Sequence, residues 1–152
     1  MIALVLIVVV IAVVAFIAYP MFLGDNKAKA MQPDLSSFPD GWSVKSSESV
    51  DSSSGLISKE YYSREWYVKG TEHIVAAIQV FPSADKAAES YDRFLDFHGP
   101  GTPVTKFDKC FKSGGDYYFV KGNTVGQVLT SFAPSLTAAD INSILDSIEG
   151  KI

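Results

Sequence analysis

Residues 73–91 read HIVAAIQVFPSADKAAESY, and within them the chain changes from a strand pattern to a helix pattern. The strand part is apolar at both alternating sets of positions, which indicates a central strand covered on both faces. Pro82 and Ser83 end this strand, and serine is a residue type that caps helices. Apolar residues then recur at offsets of three and four, which predicts a helix with one buried side. That helix ends before GPGTP at residues 99–103.

Further strand patterns lie on both sides of this strand and helix. The predicted strands cover residues 42–50, 56–68 and 73–81 before the helix, and residues 104–112, 117–120 and 124–132 after it. A last helix is predicted after Thr137, which forms a capping pattern with Asp140, and it ends at Gly150. The order βββαβββα predicts an α+β fold, with an antiparallel sheet of about six strands and two helices packed on one face.

Residues 1–23 form a long apolar run without a charged side chain, and Asp25 is the first ionisable residue. About 20 residues of α-helix cross the roughly 30 Å hydrocarbon layer of a bilayer. Residues 24–37 are expected to form a stalk and residues 38–152 a single domain, because the remaining chain is long enough for one core. We therefore predict a transmembrane helix whose positions include Met1, Val10, Phe16, Tyr19 and Leu23.

Two patterns bear on the side of the membrane where the domain lies. Lys27 and Lys29 follow the apolar run, so the positive-inside rule favours the cytoplasm. The domain itself is rich in Ser, Tyr, Gly and Thr and follows a polar stalk, a composition that favours the outer side. We expect an extracytoplasmic domain at the cell surface, held by an uncleaved signal anchor, because the run is longer than the apolar part of a typical signal peptide.

Few residue patterns in the domain indicate chemistry. Cys110 is the only cysteine, and His73 and His98 lie far apart, so the sequence predicts neither a disulfide nor a metal site. There is no Gly-x-Ser-x-Gly motif, and no glycine cluster opens a helix as phosphate loops do. The net charge of −4, without a run of Lys or Arg, argues against a nucleic-acid partner. We expect no catalytic residue, no cofactor and no metal, and a protein that is not an enzyme.

Aromatic residues are concentrated in the predicted strands. Packing in the core and across strands is their usual role. Alternate residues of a strand point to opposite faces, so some of these rings must lie on the second face or at an edge of the sheet. Exposed Tyr and Trp are favoured in contacts with protein or glycan partners. The candidate partner-binding residues are Tyr61, Tyr62, Trp66, Tyr67, Tyr117 and Tyr118.

Three segments resemble a known class of domains. They are FPDGW at residues 38–42, VFPSADKAA at residues 80–88 and FVKGNTV at residues 119–125. Their arrangement is similar to that of uncharacterised membrane-anchored or lipoprotein-like α+β domains of archaea and bacteria. This resemblance implies the fold and a location at the membrane. The apolar residues 1–23 also resemble the leading helix of type IV pilin-like subunits.

Two functions agree with these patterns. The first is a single-pass, non-enzymatic membrane protein that presents its α+β domain to a partner protein or a surface ligand. The second is a structural subunit of a pilus-like filament, or an accessory subunit of a membrane protein complex, assembled through the N-terminal helix. In the second case the N-terminal helix would pack closely against other helices through small residues, namely Ala3, Ala12, Ala15 and Ala18. The lipid bilayer is a partner in both cases.

Overall fold

The computed structural model describes residues 26–51 and 61–152. The predicted transmembrane helix at residues 1–23 lies outside these ranges, as does most of the serine-rich turn predicted after the first strand. Within the described ranges, each helix is too short or too polar to cross a bilayer.

The α+β character predicted from the sequence is confirmed by the described elements. In chain order these are α1 (Lys27–Ala30), a 3-10 helix (Leu35–Ser37), β1 (Ser43–Asp51), β2 (Tyr61–Lys69), β3 (Glu72–Val80), α2 (Ala84–His98), β4 (Thr102–Pro103), β5 (Lys109–Ser113), β6 (Asp116–Lys121), β7 (Thr124–Leu129) and α3 (Ala138–Glu149). The predicted caps are present: the Ser83 side chain accepts from Lys86 N, and Thr137 forms a capping box with Asp140.

The described strands form one antiparallel, seven-stranded sheet in the order β1-β2-β3-β7-β6-β5-β4. The tight hairpins β2–β3, β5–β6 and β6–β7 each turn at a glycine with positive φ, namely Gly70, Gly114 and Gly122. Such two-residue turns need this backbone conformation, which glycine adopts without steric cost. The pairing of β3 with β7 then joins the two halves of the chain at the centre of the sheet.

Helices cover both faces of the sheet, whereas the sequence predicted both helices on one face. Because β3, β6 and β7 carry apolar residues at both alternating sets of positions, each face needs a cover. On the first face, α3 packs through Ile144, Leu145 and Ile148 against strand residues that include Ile74, Ile78 and Phe119. On the second face, α2 packs through Ala87 and Tyr91 against Phe111, Tyr118 and Val125.

The strand predicted at residues 104–112 is shorter in the structure, where β5 begins at Lys109. Phe107 has a φ of +58°, a left-handed conformation that interrupts a strand. Its ring stacks on Phe119 with 4.0 Å between the ring centroids, and this packing holds the bend. The preceding loop also contributes the short edge strand β4, which the sequence pattern did not predict.

The segment predicted as a stalk packs on the first face of the sheet. Ala28, Gln32 and Pro33 are buried. Gln32 Nε2 donates to Ser63 Oγ at 3.2 Å and to the Ala76 carbonyl oxygen at 3.3 Å. The folded unit therefore includes residues 26–37 as well as the predicted domain.

Candidate functional site

The structure divides the candidate aromatic residues between the core and the surface. Tyr67, Tyr117 and Tyr118 are 0%, 8% and 2% exposed. Tyr61 is half-buried and packs against the core of the first face. Tyr62 and Trp66 are half-buried on the second face of β2, so these two are the candidates that a partner could reach there.

The buried tyrosines have structural partners. The Tyr67 hydroxyl lies 3.0 Å from the Pro33 carbonyl oxygen and 2.7 Å from Glu65 Oε2, and its ring stacks on Phe38. The Tyr118 hydroxyl lies 3.2 Å from His98 Nδ1. Burial raises the pKa of both phenols above the ordinary value, so both stay neutral at physiological pH.

The second face of β1, β2 and β3 is not covered by α2, which makes its sheet contacts with β6 and β7. Among the described residues, α1 contacts β2 and β3 through Ala28, on the first face. The surface that none of the described helices covers, here called the open half-face, consists of second-face side chains of β1 to β3 together with the adjoining Phe132, with Val75 and Ala77 buried beneath the larger side chains. Its members with large side chains are Glu48, Tyr62, Arg64, Trp66, His73 and Phe132.

Three rings stack at one end of the open half-face. The rings of Trp66 and His73 have centroids 5.7 Å apart and planes inclined by 24°. Those of His73 and Phe132 have centroids 4.6 Å apart and planes inclined by 14°. Backbone pairing sets this arrangement, because Val68 stands opposite His73 in the β2–β3 register and His73 N donates to the Phe132 carbonyl oxygen. Phe132 remains 58% exposed, so the stack ends in an accessible ring.

A charged pair lies beside this stack on the same half-face. Arg64 Nη2 donates to Glu48 Oε2 at 2.6 Å, and both side chains are partly exposed. A pair of this kind contributes little to folding stability. Arg64 Nε and Gln79 Oε1 are buried and have no hydrogen-bond partner within the described part of the chain. Trp, Tyr and Arg together are the residue types that dominate the energy of protein interfaces.

Sequence reasoning singled out Trp66 and Tyr62 but missed His73 and Phe132. In the sequence His73 bears only on metal binding, and Phe132 is only the last residue of the strand predicted at residues 124–132. The two rings belong to different strand regions that β3–β7 pairing brings together. Only the aromatic character of each residue was visible in the sequence, since stacking depends on the register of three strands.

Among the described residues no metal-binding group accompanies the stack, and Cys110 lies in the core of the first face. In residues 26–51 and 61–152, no three His, Cys, Asp or Glu side chains are grouped to hold a metal ion. Burial raises the pKa of the Cys110 thiol to about 12, so this thiol is unreactive at neutral pH.

A scan against protein-family models, a search of curated proteins and a search of solved structures gave no match.

Proposed function

We propose that this protein is a single-pass, membrane-anchored protein without enzymatic activity, whose α+β domain binds a partner protein or a surface ligand on the outer side of the membrane. The uncharged residues 1–23 supply the anchor in this proposal. The observation that carries the binding role is the stack of Trp66, His73 and Phe132 on the open half-face.

The energetics of aromatic side chains support a binding role for this stack. Moving a large apolar side chain from water into a protein contact contributes about 1.5–3 kcal/mol. Phe132 has most of its surface still in water and Trp66 is half-buried, so a partner gains by covering them. Their flat faces and the indole N–H also suit a contact that combines apolar area with a hydrogen bond.

The neighbouring strand leaves the stack accessible from the side. Ser46 stands opposite Trp66 in the register of β1 with β2. The strand β1 reads SVKSSESVD, and its exposed serines are short beside an indole ring. Trp66 is therefore bordered by short side chains on that side, and tryptophan is among the residue types that dominate interface energies.

Site-specific photocrosslinking in living cells tests this proposal. In the full chain, Trp66 is replaced by the photoreactive residue benzoylphenylalanine, which keeps an aromatic side chain at that position. The matched control carries the same residue at Asn142, which is exposed on α3 over the opposite face. We expect adducts of discrete mass from position 66 and none from position 142. The absence of an adduct at 66, or the same adducts from both positions, would contradict the proposal.

Protease treatment of intact cells tests the side of the membrane. We expect an externally added protease to digest the domain while a cytoplasmic marker protein stays whole. A domain that becomes sensitive only after the cells are lysed would place it inside and would contradict the outer location.

A further inference from the structure

The described chain begins at one end of the sheet. Asn26 Nδ2 donates to the Tyr62 carbonyl oxygen at 3.3 Å. Lys27 Nζ lies 5.2 Å from the centroid of the Tyr61 ring. These tyrosines open β2, and β1 ends opposite them, since Val50 pairs with Tyr62. The chain therefore enters the domain beside the start of β2 and the end of β1.

The predicted membrane span ends very close to this entry point. Only Gly24 and Asp25 separate Leu23 from Asn26. Three residue steps reach at most about 11 Å, at about 3.6 Å each. The headgroup layer on each side of a bilayer is itself roughly 6 Å thick. With residues 1–23 in the membrane, the start of β2 is therefore held at or just outside the headgroups.

The side chains at this end suit a lipid interface. Tyr61 points to the first face and Tyr62 to the second, so each side of the sheet carries a half-buried tyrosine here. Tyrosine is enriched at membrane–water interfaces because its ring is apolar and its hydroxyl is polar. Val50 is 40% exposed, and Lys27 is exposed beside Tyr61. A lysine can lay its apolar stem along such a surface and reach a phosphate with its charged head.

We propose that the end of the sheet formed by Val50, Tyr61 and Tyr62, here called the tyrosine end, rests on the phospholipid surface. The proposal depends on the membrane anchor of the proposed function. The short connection to residue 23 supplies the proximity, and the tyrosines, Val50 and Lys27 supply the contact. The occupant of this surface is the headgroup layer of the same bilayer that holds residues 1–23.

This contact fixes the direction in which the domain presents its aromatic stack. Strands rise about 3.3 Å per residue, so Trp66 stands roughly 17 Å along β2 from Tyr61. The turn at Gly70 and Thr71 lies at the far end of the sheet from the tyrosine end. Trp66, His73 and Phe132 are thereby held away from the lipid, whereas Tyr62 is used for the membrane.

Spin labels in the full chain measure which end of the sheet meets the lipid. The full chain is reconstituted into vesicles of phosphatidylcholine and phosphatidylglycerol, with a nitroxide attached at Val50→Cys or, as the matched control, at Thr71→Cys. Cys110 is buried and its pKa is raised to about 12 by burial, so it does not compete for the label. Accessibility to oxygen, which concentrates in lipid, is compared with accessibility to a water-soluble nickel chelate.

We expect the oxygen-to-nickel ratio at position 50 to be several-fold higher than at position 71. Lys27→Cys provides a second labelled position at the same end if Val50→Cys disturbs β1, and its label should behave like that at position 50. Equally low ratios at 27, 50 and 71 in protein that floats with the vesicles would overturn the lipid contact while leaving the anchor intact. Protein that fails to float with the vesicles would overturn the anchor and the lipid contact together.

Discussion

At the scale of single residues, Gly126 in β7 leaves the space that the Phe119 ring occupies in the core of the first face. Gly126 stands opposite Phe119 of β6, and a Cβ at residue 126 would overlap the Phe119 ring. Phe119 in turn stacks on Phe107, whose left-handed backbone delays the start of the predicted strand to Lys109. From the sequence alone, Gly126 is recognisable only as a residue with a low propensity for strands. Its role follows from a cross-strand contact that no local pattern contains.

Replacing Gly126 with alanine should destabilise the domain, because the added methyl group forces Phe119 out of its place. We expect Gly126→Ala to lower the free energy of unfolding by roughly 1–3 kcal/mol, the usual cost of overpacking. Urea unfolding followed by circular dichroism measures this. The control is Gly150→Ala at the end of α3, where φ is −70° and an added Cβ lies 3.3 Å from the Asp146 carbonyl oxygen, so a change of at most about 1 kcal/mol is expected. Equal effects at both glycines would contradict the role of Gly126.

The capping box of α3 predicts a dependence of stability on pH. Thr137 Oγ1 donates to Asp140 Oδ2 at 2.7 Å and Thr137 N donates to the same oxygen at 2.8 Å. These bonds from Thr137 lower the pKa of Asp140 in the folded protein. The stability that the carboxylate adds is therefore present above its unfolded pKa of about 3.9, and is lost as the pH falls through the folded value.

We accordingly expect Asp140→Ala to lower the thermal unfolding midpoint at pH 7 and to have a smaller effect at pH 3. Circular dichroism melting curves of both proteins at the two pH values give this comparison. A difference between wild type and variant that stays constant from pH 7 to pH 3 would show that the ionised carboxylate is not what stabilises the cap.

At the scale of elements, the helices with strong local signals were predictable and their positions on the sheet were not. Ser83 and Thr137 marked the starts of α2 and α3, because a capping side chain bonds to the backbone of its own helix. Strand periodicity showed β3 as apolar on both sides. It did not show which helix covers which face, since that depends on the path of the chain after β3 and β7. The packing of residues 26–37 was missed for the same reason.

A comparison of two shortened chains tests the packing of residues 26–37. Ala28 and Gln32 are buried on the first face, and Lys151 Nζ donates to the Gln32 carbonyl oxygen at 2.7 Å. A chain that begins at Phe38 loses this cover and leaves buried polar groups unpaired. We expect it to be at least about 2 kcal/mol less stable in urea than a chain that begins at Asn26.

The matched control for this comparison is Lys29→Ala in the chain that begins at Asn26, because Lys29 is exposed on α1. Its free energy of unfolding in urea should be that of the parent within about 0.5 kcal/mol. If the chains beginning at Asn26 and at Phe38 unfold at the same urea concentration, residues 26–37 do not belong to the stable domain.

At the scale of the whole molecule, the sheet order determines both the core and the candidate site. The centre of the sheet pairs β3 with β7, which are separated in the chain by α2 and three strands. This long-range pairing places Phe132 beside His73 and completes the stack with Trp66. The sequence could therefore supply Trp66 and Tyr62 as candidates. It could not separate them from Tyr117 and Tyr118, which α3 and α2 cover in the core.

The membrane anchor that we propose at residues 1–23 would give the molecule its working position, and alkaline carbonate extraction tests this proposed anchor most directly. Membranes are prepared from cells that express the full chain and, in parallel, from cells that express a chain beginning at Asn26. We expect the full chain to stay in the membrane pellet after extraction, because an apolar helix of this length remains in lipid. The shorter chain should be recovered as a folded, soluble domain. Recovery of the full chain in the soluble fraction as a monomer would contradict the membrane anchor.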